Sequence, residues 1–217
     1  MRIFRWKTVA AALAVCSLAA GGAVLAQGVT GQNIAGFEIR TNGRVNWNIN
    51  NGDYAFLSRF TASKEGTDIT GDAGSGNSKR KTLSAVGHVV VHQTRPLKGS
   101  SGQTSRFTQE PSTLTCDKLD VDGATKRYAA TGDVHFTQTT RDVTAERGTL
   151  DDNTHVLHME GHVHIRNGEQ LADADNIDYN TLTEEVQMSG NVLIRQPLET
   201  PPPGTPGPRA TPKKNRK

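Results

Sequence analysis

Apolar side chains recur at every second position in four short segments of the chain. Each segment starts at a glycine and continues with an apolar pair two residues apart. The segments are Gly87 with Val89 and Val91, Gly132 with Val134 and Phe136, Gly161 with Val163 and Ile165, and Gly190 with Val192 and Ile194. Because successive side chains of a strand point to opposite faces, each pair projects from one face of a β-strand.

These segments belong to a repeat of 29 residues, which separates Gly132, Gly161 and Gly190. A second motif, a small residue followed by an acidic one, stands 16 residues before each glycine. Its copies are Gly71-Asp72, Cys116-Asp117, Ala145-Glu146 and Ala174-Asp175. Gly87 and Gly132 are 45 residues apart, so one gap holds 16 extra residues. We place this insertion at 96–111, where Gly99-Ser100-Ser101-Gly102 indicates a surface loop.

Turn signals between the apolar segments predict antiparallel pairing. Asn167-Gly168 is a hairpin signal, and Asp122-Gly123, Asp151-Asp152-Asn153 and Asn180-Thr181 indicate further turns. A glycine in the middle of a strand costs stability unless the backbone must bend there. The repeat therefore predicts an all-β fold, an antiparallel jelly-roll or V-shaped meander whose inner face carries rows of aliphatic side chains.

The same domain is expected to begin before the first repeat. Phe37 and Ile39 alternate with polar residues, as do Val45, Trp47 and Ile49, so this region should supply the opening strands. We assign residues 27–197 to the β-domain and 198–217 to a disordered tail that is rich in proline and then basic.

The N-terminus has the layout of a secretory signal. Arg2, Arg5 and Lys7 precede an apolar run that ends at Ala26, which predicts a signal peptide over residues 1–26 and a mature chain that starts at Gln27. An uncleaved anchor is the main alternative, since the run is about as long as a thin membrane span. A lipoprotein site at Cys16 is a third reading, and the bulky Val15 disfavours it.

Charge and cysteine content exclude several classes of function. The signal carries three basic residues and the last nine residues carry five, so residues 27–208 have a net charge of −5. No basic domain is left to bind nucleic acid. Cys116 is the single cysteine after the signal, so no intrachain disulfide is expected. A chain with 34% hydrophobic residues suits a thin two-layer sheet.

The repeat resembles the LptA/OstA-like family of periplasmic lipopolysaccharide-transport proteins over about residues 67–197. The matching pattern is an alanine-acidic step, a tyrosine or leucine near the turn, and then Gly-x-Val-x-hydrophobic. It stands here as Ala145-Glu146, Leu150 and Gly161 to Ile165, and again as Ala174-Asp175, Tyr179 and Gly190 to Ile194. The resemblance implies a non-enzymatic jelly-roll that shelters the acyl chains of lipid A in an apolar groove.

The groove predicted on this basis is lined by the eight residues that follow the repeat glycines, namely Val89, Val91, Val134, Phe136, Val163, Ile165, Val192 and Ile194. The resemblance also implies end-to-end homo-oligomers and partners in the inner- and outer-membrane parts of the export machinery. We expect no catalytic residue, metal or other cofactor. A membrane-anchored member of the same export system, the LptC-like type, is the alternative, because Gly36 to Ile39 and Gly43 to Trp47 are similar to its opening.

Other functions have weaker support in the sequence. His155, His158, His162 and His164 cluster, and an H-x-H pair can bind zinc, but the other repeats do not preserve these positions. Asp173, Asp175 and Asp178 fit a solvated strand better than a calcium site. An adhesin-like β-solenoid would share the period but stack parallel coils, which the Asn167-Gly168 hairpin disfavours.

Overall fold

The computed structural model describes residues 32–34, 36–64, 66–94 and 110–196. The predicted signal peptide, nearly all of the predicted insertion and the predicted tail lie outside these residues, and their boundaries stay predictions. The described chain folds into fifteen strands: β1 (Gln32–Ile34), β2 (Phe37–Thr41), β3 (Val45–Trp47), β4 (Asp53–Phe56), β5 (Phe60–Lys64), β6 (Thr67–Gly71), β7 (Ala73–Asn77), β8 (Thr82–Gln93), β9 (Ser112–Asp122), β10 (Arg127–Gln138), β11 (Arg141–Asp151), β12 (Val156–Asn167), β13 (Gln170–Asn180), β14 (Val186–Ser189) and β15 (Leu193–Arg195).

All fifteen strands belong to one sheet, and every described pairing is antiparallel. The predicted all-β antiparallel architecture is therefore confirmed, and a solenoid of parallel coils is excluded for the described strands. The six long strands β8 to β13 each pair with their sequence neighbours, as a meander requires.

A line of bulges divides the sheet into two limbs. Gly87, Gly132 and Gly161 have φ of +76° to +82°, the residue after each also has positive φ, and the strand register shifts at all three. Glycine is suited to this conformation because it has no Cβ to clash with its own backbone. The prediction that the repeat glycines mark a bend is thus confirmed.

The two limbs are named by the turns at their tips. The hairpin limb holds β1, β2, β5, β6, β15 and the halves of the long strands that end in two-residue hairpins such as Gly168-Glu169. The long-turn limb holds β3, β4, β7, β14 and the other halves, joined by turns such as residues 123–126 and 152–155. At these turns a side chain such as Asp122 or Asp151 accepts hydrogen bonds from the backbone two and three residues on.

The core lies between the limbs, and one cluster of buried side chains draws on both. Val134 of the hairpin limb packs near Gly148 of the long-turn limb, where a side chain on the glycine would stand 3.7 Å from the valine Cγ1. Two details of the sequence prediction are wrong. Ile49 lies in an exposed turn rather than a strand, and Val192 lies in the break between β14 and β15.

Candidate functional site

The inner surface of the hairpin limb carries an unbroken apolar row across ten strands. Cross-strand partners share a face, so the register defines the row directly. It runs through Ile39, Ala62, Ile69, Val91, Leu114, Phe136, Val143, Ile165, Ala172 and Ile194. The interior between this row and the facing limb is called the trough below.

The long-turn limb supplies the opposite wall of the trough. One of its rows runs through Val45, Phe56, Gly74, Ala85, Leu119, Ala130, Gly148, Met159, Ile177 and Met188. The groove predicted from the sequence does not include this wall, because that prediction uses only the residues after each glycine. The alternation of Leu157 and Met159 with histidine and glutamate was the signal that would have identified it.

The structure brings six of the eight predicted groove residues together in the trough. Val89, Val134 and Val163 are fully buried at its base, and Val91, Phe136 and Ile165 are half-buried against the same core. The last pair differs, because Val192 and Ile194 are 46% and 57% exposed and stand outside the core cluster. The apolar pair of the last repeat therefore differs in burial from the pairs of the first three repeats.

Aromatic side chains close the N-terminal end of the trough. Tyr54, Phe56 and Phe60 form a consecutive stack with ring centroids 5.2 and 5.1 Å apart, and the Tyr54 hydroxyl donates a 2.5 Å hydrogen bond to the Thr82 carbonyl. Glycine makes room for them, since a Cβ on Gly74 would lie 2.7 Å from the Phe60 ring. Burial raises the pKa of Tyr54 far above its usual value, as expected for a phenol held away from water.

The C-terminal end of the trough is open by comparison. Val186, Val192, Leu193 and Ile194 are all exposed, and the last three belong to or adjoin the terminal strand β15. Ile194 pairs with the buried Ala172, so it continues the inner row, whereas Leu193 pairs with Asp173 and faces outward. A row of apolar side chains thus runs from a closed interior to a solvent-exposed strand.

The acidic residue of the repeat covers the glycine of the next strand on the outer face. A Cβ on any of the four repeat glycines would collide with the side chain of Asp72, Asp117, Glu146 or Asp175. The residue after the glycine then bonds the same acid in three copies, through His88 to Asp72, His162 to Glu146 and Asn191 to Asp175. The acidic residue of the motif therefore stabilises the bulge, because it packs on the glycine and accepts a hydrogen bond from the residue that follows it.

The histidines of the predicted cluster make pairs rather than a metal site. His158 and His164 bond Asp178 and Asp173 across the strands, and His162 bonds Glu146, all on the outer face. In the described part of the chain there is no group of three or more metal-ligating side chains. The pKa of His88 is raised by its hydrogen bond to Asp72 and by the charge of that carboxylate.

Comparison with known proteins relates half of this sheet to a family. Residues 113–200 match the family model described as LptA/(LptD N-terminal domain) LPS transport protein. A search of curated proteins finds no match. Among solved structures, the chain is similar to LptH, the LptA-homologous periplasmic component of the lipopolysaccharide transport device of Pseudomonas aeruginosa. That match has a TM-score of 0.48 and 9% identity, and it covers 58% of this chain and 82% of LptH.

No helix in the described residues has the length and apolar character that crossing a membrane requires.

The matched region contains β9 to β15 and thus three of the four repeat glycines and the open end of the trough. Residues 113–200 of this chain are therefore similar to the LptA/LptD N-terminal-domain family of lipopolysaccharide-transport proteins.

Proposed function

We propose that this protein is a periplasmic bridge that binds lipopolysaccharide and shelters its acyl chains in the trough on their way from the inner to the outer membrane. The observation that carries the proposal is the continuous apolar inner row, which becomes exposed at Ile194 inside the family-matched region. Each acyl methylene exposed to water costs about 0.8 kcal/mol. A trough without charged side chains along this row offsets that cost. Carrying the lipid in this way requires no catalytic step.

Lipid co-purification tests this function with two neighbouring variants. Ile194→Asp places a carboxylate on the inner row, and Leu193→Asp places the same group on the outer face of the same strand. Both side chains are exposed, so neither change should unfold the protein. We expect the wild type and Leu193→Asp to co-purify with lipopolysaccharide and Ile194→Asp to carry much less. Absence of lipid from all three proteins would contradict the function.

The proposed partner at the open end is a second copy of the chain. Both edges of the described sheet carry exposed apolar side chains, Trp47 at one end and the segment from Val192 to Ile194 at the other. An edge strand offers unpaired backbone groups that a second copy can use to extend the sheet. Membrane components of the export machinery would use the same edges.

Light scattering tests this assembly. Oligomers should grow with protein concentration, and Leu193→Pro should suppress them, because proline removes a backbone donor from the edge strand. A strict monomer at high concentration would contradict end-to-end assembly without affecting lipid binding.

The proposed periplasmic location rests on the N-terminal sequence pattern and the family match. N-terminal sequencing of the exported protein should read from Gln27. An intact Met1 in the membrane fraction would favour the anchored type instead.

A further inference from the structure

The turn between β7 and β8 concentrates positive charge at one tip of the long-turn limb. It contains Lys79, Arg80 and Lys81 in succession, and all three side chains are exposed. The Arg80 guanidinium lies 3.5 Å from the carboxylate of Asp53, whereas Lys79 and Lys81 form no ion pair with any described residue. This turn therefore presents three cations and one acidic neighbour to solvent.

A second turn, residues 48–52, packs directly against this one. The Lys79 ammonium donates a 2.5 Å hydrogen bond to the carbonyl of Asn50. The backbone N–H of Ser78 donates a 2.8 Å hydrogen bond to the carbonyl of Gly52. These bonds join the two turns into one surface, residues 47–52 and 78–81, which is called the basic tip below.

Exposed apolar side chains lie in the basic tip beside the cations. Ile49 precedes the Asn50 that Lys79 contacts and is 74% exposed, more than any other large hydrophobic side chain in the described residues. Trp47 ends the edge strand β3 just before this turn and is 42% exposed. Tryptophan, exposed aliphatic side chains and neighbouring lysine or arginine are the residues that favour the interface of a membrane.

The fold does not require these cations. Each of the four long turns contains one residue with φ of +54° to +61°, and these residues are Lys81, Lys126, His155 and Glu184. The same backbone conformation is thus formed with basic, neutral and acidic side chains. The turn before β14 carries Glu184 and Glu185, the opposite charge to that of the basic tip. The positive charge is therefore a property of this tip and not of the turn geometry.

We propose that the basic tip docks the protein on an anionic membrane surface. Ile49 and Trp47 enter the headgroup region, and the three cations of the turn contact lipid phosphates. Charge complementarity identifies this partner, because each lysine or arginine near an anionic bilayer strengthens binding about fivefold. Docking uses residues outside the trough, whose adjacent end is closed by the aromatic stack, so it does not depend on the proposed lipid-binding function.

Quenching of Trp47 fluorescence tests docking at the tip itself. Trp6→Phe leaves Trp47 as the single tryptophan of the exported protein, whether or not the predicted signal is removed. The vesicles contain equal parts of phosphatidylcholine and phosphatidylglycerol with brominated acyl chains. We expect quenching and a blue shift of the emission with these vesicles, and neither with phosphatidylcholine alone. Binding through the five cations of residues 209–217 alone would leave Trp47 unquenched.

Two variants separate the contributions of charge and apolar contact. Neutralisation of the turn by Lys79→Gln, Arg80→Gln and Lys81→Asn together should weaken binding about 100-fold, at about fivefold for each cation. Asparagine is chosen at position 81 because it tolerates positive φ. Ile49→Ser should weaken binding roughly tenfold, because an isoleucine side chain no longer leaves water. High salt should weaken the wild type and have little effect on the neutralised turn.

A matched control removes the same number of exposed cations from the outer face and should dock as the wild type does. It combines Lys118→Gln, Arg147→Gln and Arg166→Gln. Circular dichroism verifies the fold of each variant. Ile194→Asp, which should lose lipid from the trough, should keep the quenching of Trp47, so the two proposals can fail separately.

Three results would overturn the assignment. Trp47 could remain unquenched when the protein is bound to anionic vesicles. The control could weaken binding as much as neutralisation of the basic tip does. Oligomers that dissociate on neutralisation, without quenching by vesicles, would assign the basic tip to contact with a second copy of the chain.

Discussion

The two ends of the trough are built from different kinds of residue. At the N-terminal end Tyr54, Phe56 and Phe60 fill the space between the limbs and are almost fully buried. At the C-terminal end Ile194 continues the inner row and is 57% exposed. The repeat continues to the last strand, but the aromatic stack precedes the first repeat glycine and has no counterpart in the later copies.

This difference distinguishes the contribution of the repeat from that of the aromatic stack that closes one end of the trough. Each repeat contributes a bent strand with two apolar residues on the inner face, and those residues are buried when strands lie on both sides. The terminal strand has a neighbour on one side among the described residues, so its inner side chains stay exposed. The closed end therefore stabilises the fold, and the open end is the part suited to exchange lipid or to bind a partner.

The largest expected effect is on the free energy of unfolding, when one side chain at each end of the trough is truncated to alanine. Phe60 is 1% exposed and stacks on Phe56, so Phe60→Ala should lower the free energy of unfolding by about 3–5 kcal/mol. Ile194→Ala should change it by less than about 0.5 kcal/mol, because that side chain is already in water. Urea denaturation measures both, and similar losses would show that the ends do not differ in this way.

Thiol labelling of Cys116 measures how accessible the middle of the trough is to solvent. Cys116 pairs with Val89 on the inner face in the middle of the sheet, and burial, followed by the charge of Asp117, raises its pKa to about 11. At pH 8 its thiolate should be at least about 100-fold scarcer than that of an exposed cysteine. Labelling of the Cys116 peptide, followed by mass spectrometry, should therefore be slow and accelerate up to about pH 11. Rapid labelling at pH 8 would show a trough open along its length.

A pair of glycine substitutions tests the tight packing of the closed end. Gly74→Ala would place a Cβ 2.7 Å from the Phe60 ring, and the aromatic stack leaves the ring little room to move. We expect a loss of about 1–3 kcal/mol. Gly148→Ala is the control, since its Cβ would meet Val134 at 3.7 Å, an ordinary contact, and should leave the thermal midpoint nearly unchanged. Reversal of this order would contradict the packing described here.

The smallest effect concerns the bulge that lacks a matching partner. Asp133 follows Gly132, against which the Asp117 side chain packs, whereas Asn191 in the equivalent place at the open end donates to Asp175. Asp133→Asn should stabilise the fold by about 0.5 kcal/mol, because it removes a negative charge next to the glycine that Asp117 covers and supplies the donor that Asn191 uses in its copy. Asn191→Asp makes the opposite change and should destabilise. The gain should shrink at high salt, and a loss of stability in Asp133→Asn would contradict the account.

The sequence was sufficient for the features that repeat. Alternation predicted the strands, and the spacing of Gly132, Gly161 and Gly190 predicted where they bend, because both depend on local backbone geometry. Asn167-Gly168 predicted a hairpin that the structure contains. The spacing of 16 residues between acid and glycine was visible in the sequence, but its physical role, the acid covering the glycine of the next strand, follows from the fold.

The features that do not repeat could not be predicted in this way. The aromatic stack depends on Gly71, Gly74 and Gly76 lying beneath the rings, and that placement follows from strand register rather than from local pattern. The second wall of the trough was missed because the residues before each glycine vary more than those after it. The contact of Arg141 with Tyr179 joins residues 38 positions apart in opposite limbs, which no sequence spacing indicated.

The most direct test of the central claim compares the two faces of the same strands. Photo-crosslinkers at Phe136 and Ile165 face the trough, and those at His135 and His164 face outward beside their acidic partners. In cells that make lipopolysaccharide, we expect lipid adducts from the two inner positions and few from the outer ones. Equal labelling of both faces, or no adduct from either, would contradict a lipid-binding trough and leave a structural β-domain.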